Sequence, residues 1–251
     1  MENFRIATSA GQIGFAGRLH ASRTRPAVLA VNGAFPADDH FHQLVRRFGH
    51  ASVLVANLPG MGVPWSDATP SQLATGLGEA IDVLFGDQPL IVLGASTGAL
   101  VTFGLRRPSI VRHIAMEPFF STQELWPFID WARDLMLKNA GNENLRQYFW
   151  TTFGIGPDRL ENRDYRHLLR DIATPTDVIM GQLPLQPPRR MIGWPSFTAQ
   201  PDREALAANP LVTLYEGPAG SGHGLYDLPE GEVLVAGVVE AALLSAALNA
   251  R

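Results

Sequence analysis

The segment Gly94-Ala95-Ser96-Thr97-Gly98 stands between a continuous apolar run, Leu90-Ile91-Val92-Leu93, and a stretch of small and apolar residues at 98–105. No other feature of the 251-residue chain restricts the fold as strongly. The apolar run suits a strand buried on both faces, and the small residues suit a helix packed close behind it. A serine on so tight a strand-to-helix turn is held in a strained conformation, with its hydroxyl above the sheet edge. The flanking residues must be small because the turn brings neighbouring backbone close. The helix start also presents free N–H groups and a dipole that favours nearby negative charge. A glycine-rich turn can be purely structural, but a strand before it and a helix after it make Ser96 a candidate nucleophile.

The rest of the chain repeats the same rhythm. Residues 4–8 and 13–19 read as a hairpin, and residues 27–31 as a buried strand ending at Asn32-Gly33. Asp38-Asp39 offers a helix start before Phe41, Leu44, Val45 and Phe48. Residues 52–56 form the next strand, closed by Asn57-Leu58-Pro59-Gly60-Met61-Gly62. Thr69-Pro70 opens a helix whose apolar stripe is Leu73, Leu77, Ile81 and Leu84. Residues 110–116 are another strand. This alternation implies an α/β fold, a mostly parallel sheet with helices on both faces.

Residues 121–172 differ. They hold Trp126, Phe128, Trp131, Tyr148, Phe149, Trp150 and Phe153 at helical spacing and no convincing buried strand. Strands resume at 177–180 and 211–215, separated by a Pro-rich stretch at 184–201 read as irregular. A last helix is expected from about Glu230 to Leu248, and its apolar part, from Val233 on, reads as buried.

Composition narrows the function. With 46% hydrophobic and 18% charged residues, the chain is that of a globular domain. A formal net charge of −4 gives no electrostatic case for nucleic acid or an anionic membrane as partner. Cysteine is absent, which excludes disulfides and thiolate metal sites. No signal-peptide pattern opens the chain, and no uninterrupted apolar run reaches the roughly 18 residues of a membrane span. A cytoplasmic location and a small-molecule partner are the expectation. The oligomeric state is left open.

A serine hydroxyl needs a base. Of the 7 histidines, His223 has the best context. Gly220-Ser221-Gly222-His223-Gly224 follows the last strand and precedes the last helix, and its glycines let the imidazole project from a turn. His40 and His42 flank the first helix, His113 lies within a strand, and His20, His50 and His167 have no supporting context.

The order of elements, the turn at 94–98, Asn32-Gly33-Ala34-Phe35, Leu58-Pro59-Gly60-Met61-Gly62 and Gly222-His223-Gly224 together resemble the α/β-hydrolase superfamily. The resemblance covers nearly the whole chain outside the helical insertion. It implies a core at residues 1–120 and 173–251, with residues 121–172 as a helical cap inserted after the sixth strand. Many members of the family place the triad acid shortly after the seventh strand, but here that segment is Gly181-Gln182-Leu183-Pro184, with no acid. The other position the superfamily uses, the end of the sixth strand, holds Glu117, the favoured acid. Asp202 is second choice and more simply caps a helix. Asp177 lies inside a strand, and Asp227 follows His223 too closely.

An oxyanion hole needs two aimed N–H donors. Thr97 follows the nucleophile and supplies one. The resemblance places the other at Ala34, with Phe35 as near alternative. The expected chemistry is acyl transfer from an ester-like bond through an acyl-enzyme, without metal or organic cofactor. Phe35, Met61, Trp65, Trp126, Trp131 and Trp194 are candidates for an apolar substrate pocket, although such aromatics also serve to hold a cap to its core. Thioester, lactone or carbon–carbon bond cleavage on the same residues, and a non-catalytic ligand-binding role, are the rival readings.

Overall fold

The computed structural model describes residues 2–21, 24–34, 40–59, 67–188 and 193–249. In chain order the elements are β1 (Glu2–Thr8), β2 (Gly11–Arg18), β3 (Ala27–Val31), α1 (His40–Arg47), β4 (Val53–Asn57), α2 (Pro70–Leu84), β5 (Leu90–Ala95), α3 (Thr97–Phe103) and β6 (Ile110–Met116). There follow α4 (Trp126–Lys138), α5 (Glu143–Phe153), α6 (His167–Arg170), β7 (Thr176–Met180), α7 (Gln200–Ala207), β8 (Val212–Glu216), a 3-10 turn at Leu225–Asp227 and α8 (Pro229–Asn249).

The strands form one sheet of 8 in the order β1-β2-β4-β3-β5-β6-β7-β8. β1 and β2 pair antiparallel, β2 pairs antiparallel with β4, and β3 to β8 are parallel. The continuous apolar runs are explained by this. In β3, Ala27, Leu29 and Val31 face the side covered by α2, whereas Val28 and Ala30 face the side covered by α1 and α8. A strand covered on both faces needs apolar residues at every position.

Local chemistry sets the helix boundaries. Thr69 and Gln72 form a reciprocal capping box at the start of α2, where Pro70 gives up no needed N–H. The stretch at 184–201, read as irregular, ends earlier than expected, because α7 begins at Gln200. Pro201 lies in its first turn, where a missing N–H costs nothing. The expectation for α8 holds on one face only. Val235, Ala236, Val238, Val239 and Ala242 pack on the sheet, while Val233, Leu244 and Leu248 are exposed. By length and apolar composition alone this helix could cross a membrane.

Between β6 and β7 the chain runs through α4, α5 and α6. Their apolar residues, including Phe128, Ala132, Leu145, Phe149 and Phe153, share one buried cluster with Leu100 and Phe103 of α3, Ala115 of β6 and Val178 of β7. These helices therefore sit on the sheet through continuous packing.

His113 of β6 is buried, and its Nδ1 has no hydrogen-bond partner among the described residues. Burial, aided by the nearby Arg106 charge, lowers its pKa to about 4. The fold tolerates the neutral ring, whereas the unfolded chain takes up a proton first. This contribution is undiminished above about pH 6.5 and is lost as pH falls toward 4, by up to about 3 kcal/mol. Urea unfolding at pH 7 and pH 4.5 is expected to show a smaller pH-dependent loss in His113→Phe than in the wild type. Equal losses would refute this account.

Candidate active site

Parallel strands that end in step create the site. At the end of β5 the Ser96 N–H donates to Met116 O (2.9 Å), and at the end of β6 the Glu117 N–H donates to Ile179 O (2.9 Å). Each residue is thus held by the neighbouring strand at the point where its own strand leaves the sheet. Both turn away with positive φ, 51° for Ser96 and 50° for Glu117, and they are the non-glycine residues with positive φ among those described. Such backbone costs on the order of 1–3 kcal/mol per residue and persists only where the surroundings enforce it.

The approach of the neighbouring backbone explains the small residues around Ser96. A Cβ on Gly98 would lie 2.3 Å from Val31 O and 2.6 Å from Asn32 O. The turn after β3 therefore packs directly against the elbow, and its position is tied by Asn32 Nδ2, which donates to Asn57 Oδ1 at 2.6 Å. Ala34 of that turn borders the same cavity as Ser96 and His223. Thr97 opens α3, and an N–H in the first turn of a helix has no acceptor within the helix. Both predicted oxyanion donors are thus on segments adjoining Ser96.

The imidazole arrives from the loop between β8 and α8. The His223 N–H is shared between Trp194 O (3.1 Å) and Pro195 O (3.2 Å). A Cβ on Gly222 would come within 1.8 Å of Trp194 O, so this approach requires glycine. His223 Nε2 lies 3.1 Å from Ser96 Oγ, and its Nδ1 lies 3.3 Å from Glu117 Oε2. Ser96, His223 and Glu117, chosen from sequence, are brought together.

Glu117 is 1% exposed, too dry for an unsupported charge. The Gly181 N–H donates to its Oε1, and the Phe197 N–H donates to its Oε2 at 2.9 Å. Burial pushes the carboxyl upward, but the hydrogen bond and charge of His223 together with these two N–H groups outweigh it. The net effect holds Glu117 below the ordinary carboxylate range. The group is therefore an ionised acceptor at neutral pH. The segment after β7 that lacks an acid instead supplies an N–H to the acid on β6.

Other sequence candidates lie elsewhere. Asp202 sits in the first turn of α7 and accepts from Arg166 Nε at 2.7 Å. Asp177 pairs with Arg112 inside the sheet. Asp227 borders the cavity near His223. Of the predicted pocket aromatics, Trp131 and Trp194 line the cavity, with Phe128, Phe153 and Phe197. Trp126 is not among its lining residues. Its indole N–H donates to Leu185 O at 3.0 Å and ties α4 to the segment after β7. Phe35, Met61 and Trp65 lie outside the described residues. Sequence reasoning missed Phe197, whose ring stacks on the His223 imidazole at 3.9 Å between centroids. It lies in the Pro-rich stretch, where no periodicity marks a buried side chain. Among the described residues no cluster of His, Asp or Glu is arranged to hold a metal.

A strained serine at a strand-to-helix elbow, facing a histidine on the loop after the last strand of a mostly parallel sheet, defines a class of protein. The sequence profile of the alpha/beta hydrolase family matches residues 28–236, and the chain belongs to that family. No curated protein matches it in sequence. Among solved structures it is similar to a thermophilic esterase from Thermogutta terrifontis, with 19% identity, 98% of this chain and 99% of that one covered, and a TM-score of 0.63. It is also similar to the enol-lactonase from Burkholderia xenovorans LB400 (17% identity, 96% and 99% covered, TM-score 0.65). A third is the thioesterase domain from the curacin biosynthetic pathway (15% identity, 97% and 99% covered, TM-score 0.59).

The carboxylate geometry yields a stability test independent of activity. Both Glu117 oxygens accept hydrogen bonds, so a glutamine must set its amide nitrogen against an N–H donor. Glu117→Gln is expected to lose about 1–3 kcal/mol in urea unfolding at pH 7. An unchanged midpoint would mean that the two backbone donors do not depend on this acceptor.

Proposed function

We propose that the protein is a serine hydrolase that cleaves an ester-like bond in a small, partly apolar substrate through an acyl-enzyme. The observation that carries this reading is the continuous series Ser96 Oγ, His223 Nε2, His223 Nδ1 and Glu117 Oε2, with separations of 3.1 and 3.3 Å. His223 takes the proton of Ser96 as the hydroxyl attacks the carbonyl carbon. The Thr97 and Ala34 N–H groups hold the oxyanion. Glu117 keeps Nδ1 protonated, so that Nε2 is the basic nitrogen, and stabilises the imidazolium. His223 then protonates the leaving group, and water activated by the same nitrogen releases the acid. This chemistry uses the chain's own groups and needs no cofactor.

The family supports hydrolysis. The relatives' names cite an esterase, an enol-lactonase and a thioesterase, all acting on acyl groups, and an ester is the simplest member of that class. The missing acid after the seventh strand would favour a merely binding role, but Glu117, 3.3 Å from His223 Nδ1, supports the catalytic one. In this reading residues 121–172 serve as a cap over the site, with Phe128, Trp131 and Phe153 turned to the acyl or alcohol group.

A fluorophosphonate probe is expected to label wild-type protein at Ser96, to leave Ser96→Ala unlabelled and to react far more slowly with His223→Ala. Unlabelled, folded wild-type protein would overturn the proposal. The part of the cavity bounded by described residues holds about 230 Å³. An apolar cavity of about 150 Å³ admits benzene, so this part by itself holds a single ring or a short chain. Among p-nitrophenyl esters, acetyl to butyryl and phenylacetyl substrates are expected to exceed the decanoyl ester in kcat/KM by about tenfold or more. The reverse order would reject the small-substrate assignment.

A further inference from the structure

Glu117 depends on two peptide N–H groups from separate loops, and one side chain outside the triad is bonded to both loops. Arg203, half-buried on α7, donates from Nη2 to Gly181 O at 2.7 Å and to Ser196 Oγ at 2.6 Å, and from Nε to Thr198 O at 3.0 Å. Gly181 therefore has its N–H on Glu117 and its carbonyl, one peptide further on, held by Arg203. Phe197, the other donor to Glu117, lies between Ser196 and Thr198, both of which Arg203 holds.

Further bonds carry this clamp to the reacting groups. Thr198 Oγ1 donates to Pro118 O at 2.6 Å, next to Glu117 in the chain. The Ser196 N–H donates to Leu183 O at 2.8 Å, and the Leu183 N–H donates to Ser221 O at 2.7 Å, so the loop bearing His223 joins the same assembly. The Phe197 ring, fixed between these anchors, stacks on the imidazole.

We propose that Arg203 is a positioning residue of the catalytic triad: its guanidinium anchors Gly181 and the residues on either side of Phe197, and so aims the two N–H groups that orient Glu117. This rests on the serine-hydrolase reading above. The demand is for a planar fork with donors in fixed directions, which arginine supplies and lysine does not. It follows from the displaced acid. With the carboxylate on β6, the loop after β7 and the 195–198 segment must be held at hydrogen-bonding distance from it, and neither lies in a helix or strand that would do so.

The test measures the second-order rate of fluorophosphonate labelling in wild type, Arg203→Met, Glu117→Gln and the double variant, each checked for folding by circular dichroism. Arg203→Met is expected to label about 10- to 100-fold more slowly, the effect of a small misplacement of a catalytic group. On p-nitrophenyl esters the loss is expected in kcat, with KM nearly unchanged. If Arg203 acts through Glu117, its removal has little left to disturb once the carboxylate is gone. The double variant is then expected within about threefold of Glu117→Gln. A purely structural staple would give losses that multiply, and multiplied losses overturn the proposal. So does wild-type labelling of Arg203→Met. Arg203→Lys, which keeps charge and stem, is expected to share most of the deficit and replaces the Met variant in the comparison should that one not fold. Full activity in Arg203→Lys also overturns the requirement for a fork. Failure of wild-type protein to label removes the serine-hydrolase reading and this proposal with it, whereas a labelled wild type with an indifferent Arg203 removes this proposal alone.

Discussion

The hydrogen bonds that cap the ends of β5 and β6 are the constraint on which the site rests. Ser96 and Glu117 each donate to the next strand and then turn through left-handed backbone. Left to itself, such a backbone relaxes, since it costs a bulky residue on the order of 1–3 kcal/mol. The ladder opposes relaxation because freeing either residue would sacrifice a buried backbone bond. Parallel pairing in step places both turns at one sheet edge, one strand apart. The distance from hydroxyl to carboxylate is thus set by strand spacing, and a single imidazole can bridge it.

Much of this could be read from the chain because it comes from dense local signals. Continuous apolar runs at 27–31 and 90–93 read as strands covered on both faces, and they are. The elbow announces itself through two glycines: Gly98 lacks the Cβ that would strike Val31 and Asn32, and Gly94 the one that would strike the start of α3. Glu117 was identifiable because the resemblance to the α/β-hydrolase superfamily points to the end of the sixth strand, where it stands directly after Ile114-Ala115-Met116. The fold then brought it to His223, 106 residues away.

What escaped the sequence is held by contacts with no periodic signature. Phe197 lies in a stretch rich in proline, where the chain follows neither a 3.6 nor a 2-residue repeat. Nothing there marks the ring as buried or shows that its N–H is bound to a carboxylate. Arg203 sits on a short helix among charged residues and looks like a solvated surface arginine. Trp126 shows the converse error. An aromatic on a helix above the site looks like a pocket wall, but its indole N–H is spent on Leu185 O. Periodicity identifies which residues are buried, whereas the partner of a buried polar group is a tertiary fact.

Moving the acid from β7 to β6 changes what each strand end must do. A carboxylate beyond β7 could reach the histidine loop from a flexible connection. On β6 it is fixed by the sheet and almost fully buried, so its charge must be offset by donors that come to it. Gly181 and Phe197 supply them, and their loops acquire the precision that the acid itself would otherwise need. Glu117 directly follows β6 and heads the stretch that leads to α4, and Thr198 Oγ1 bonds Pro118 O immediately after it. The root of the helical region and the charged end of the triad therefore share one anchor. A shift at the base of those helices reaches the carboxylate through residues 118–125, where the buried Phe119 and Phe120 hold the connection in the core.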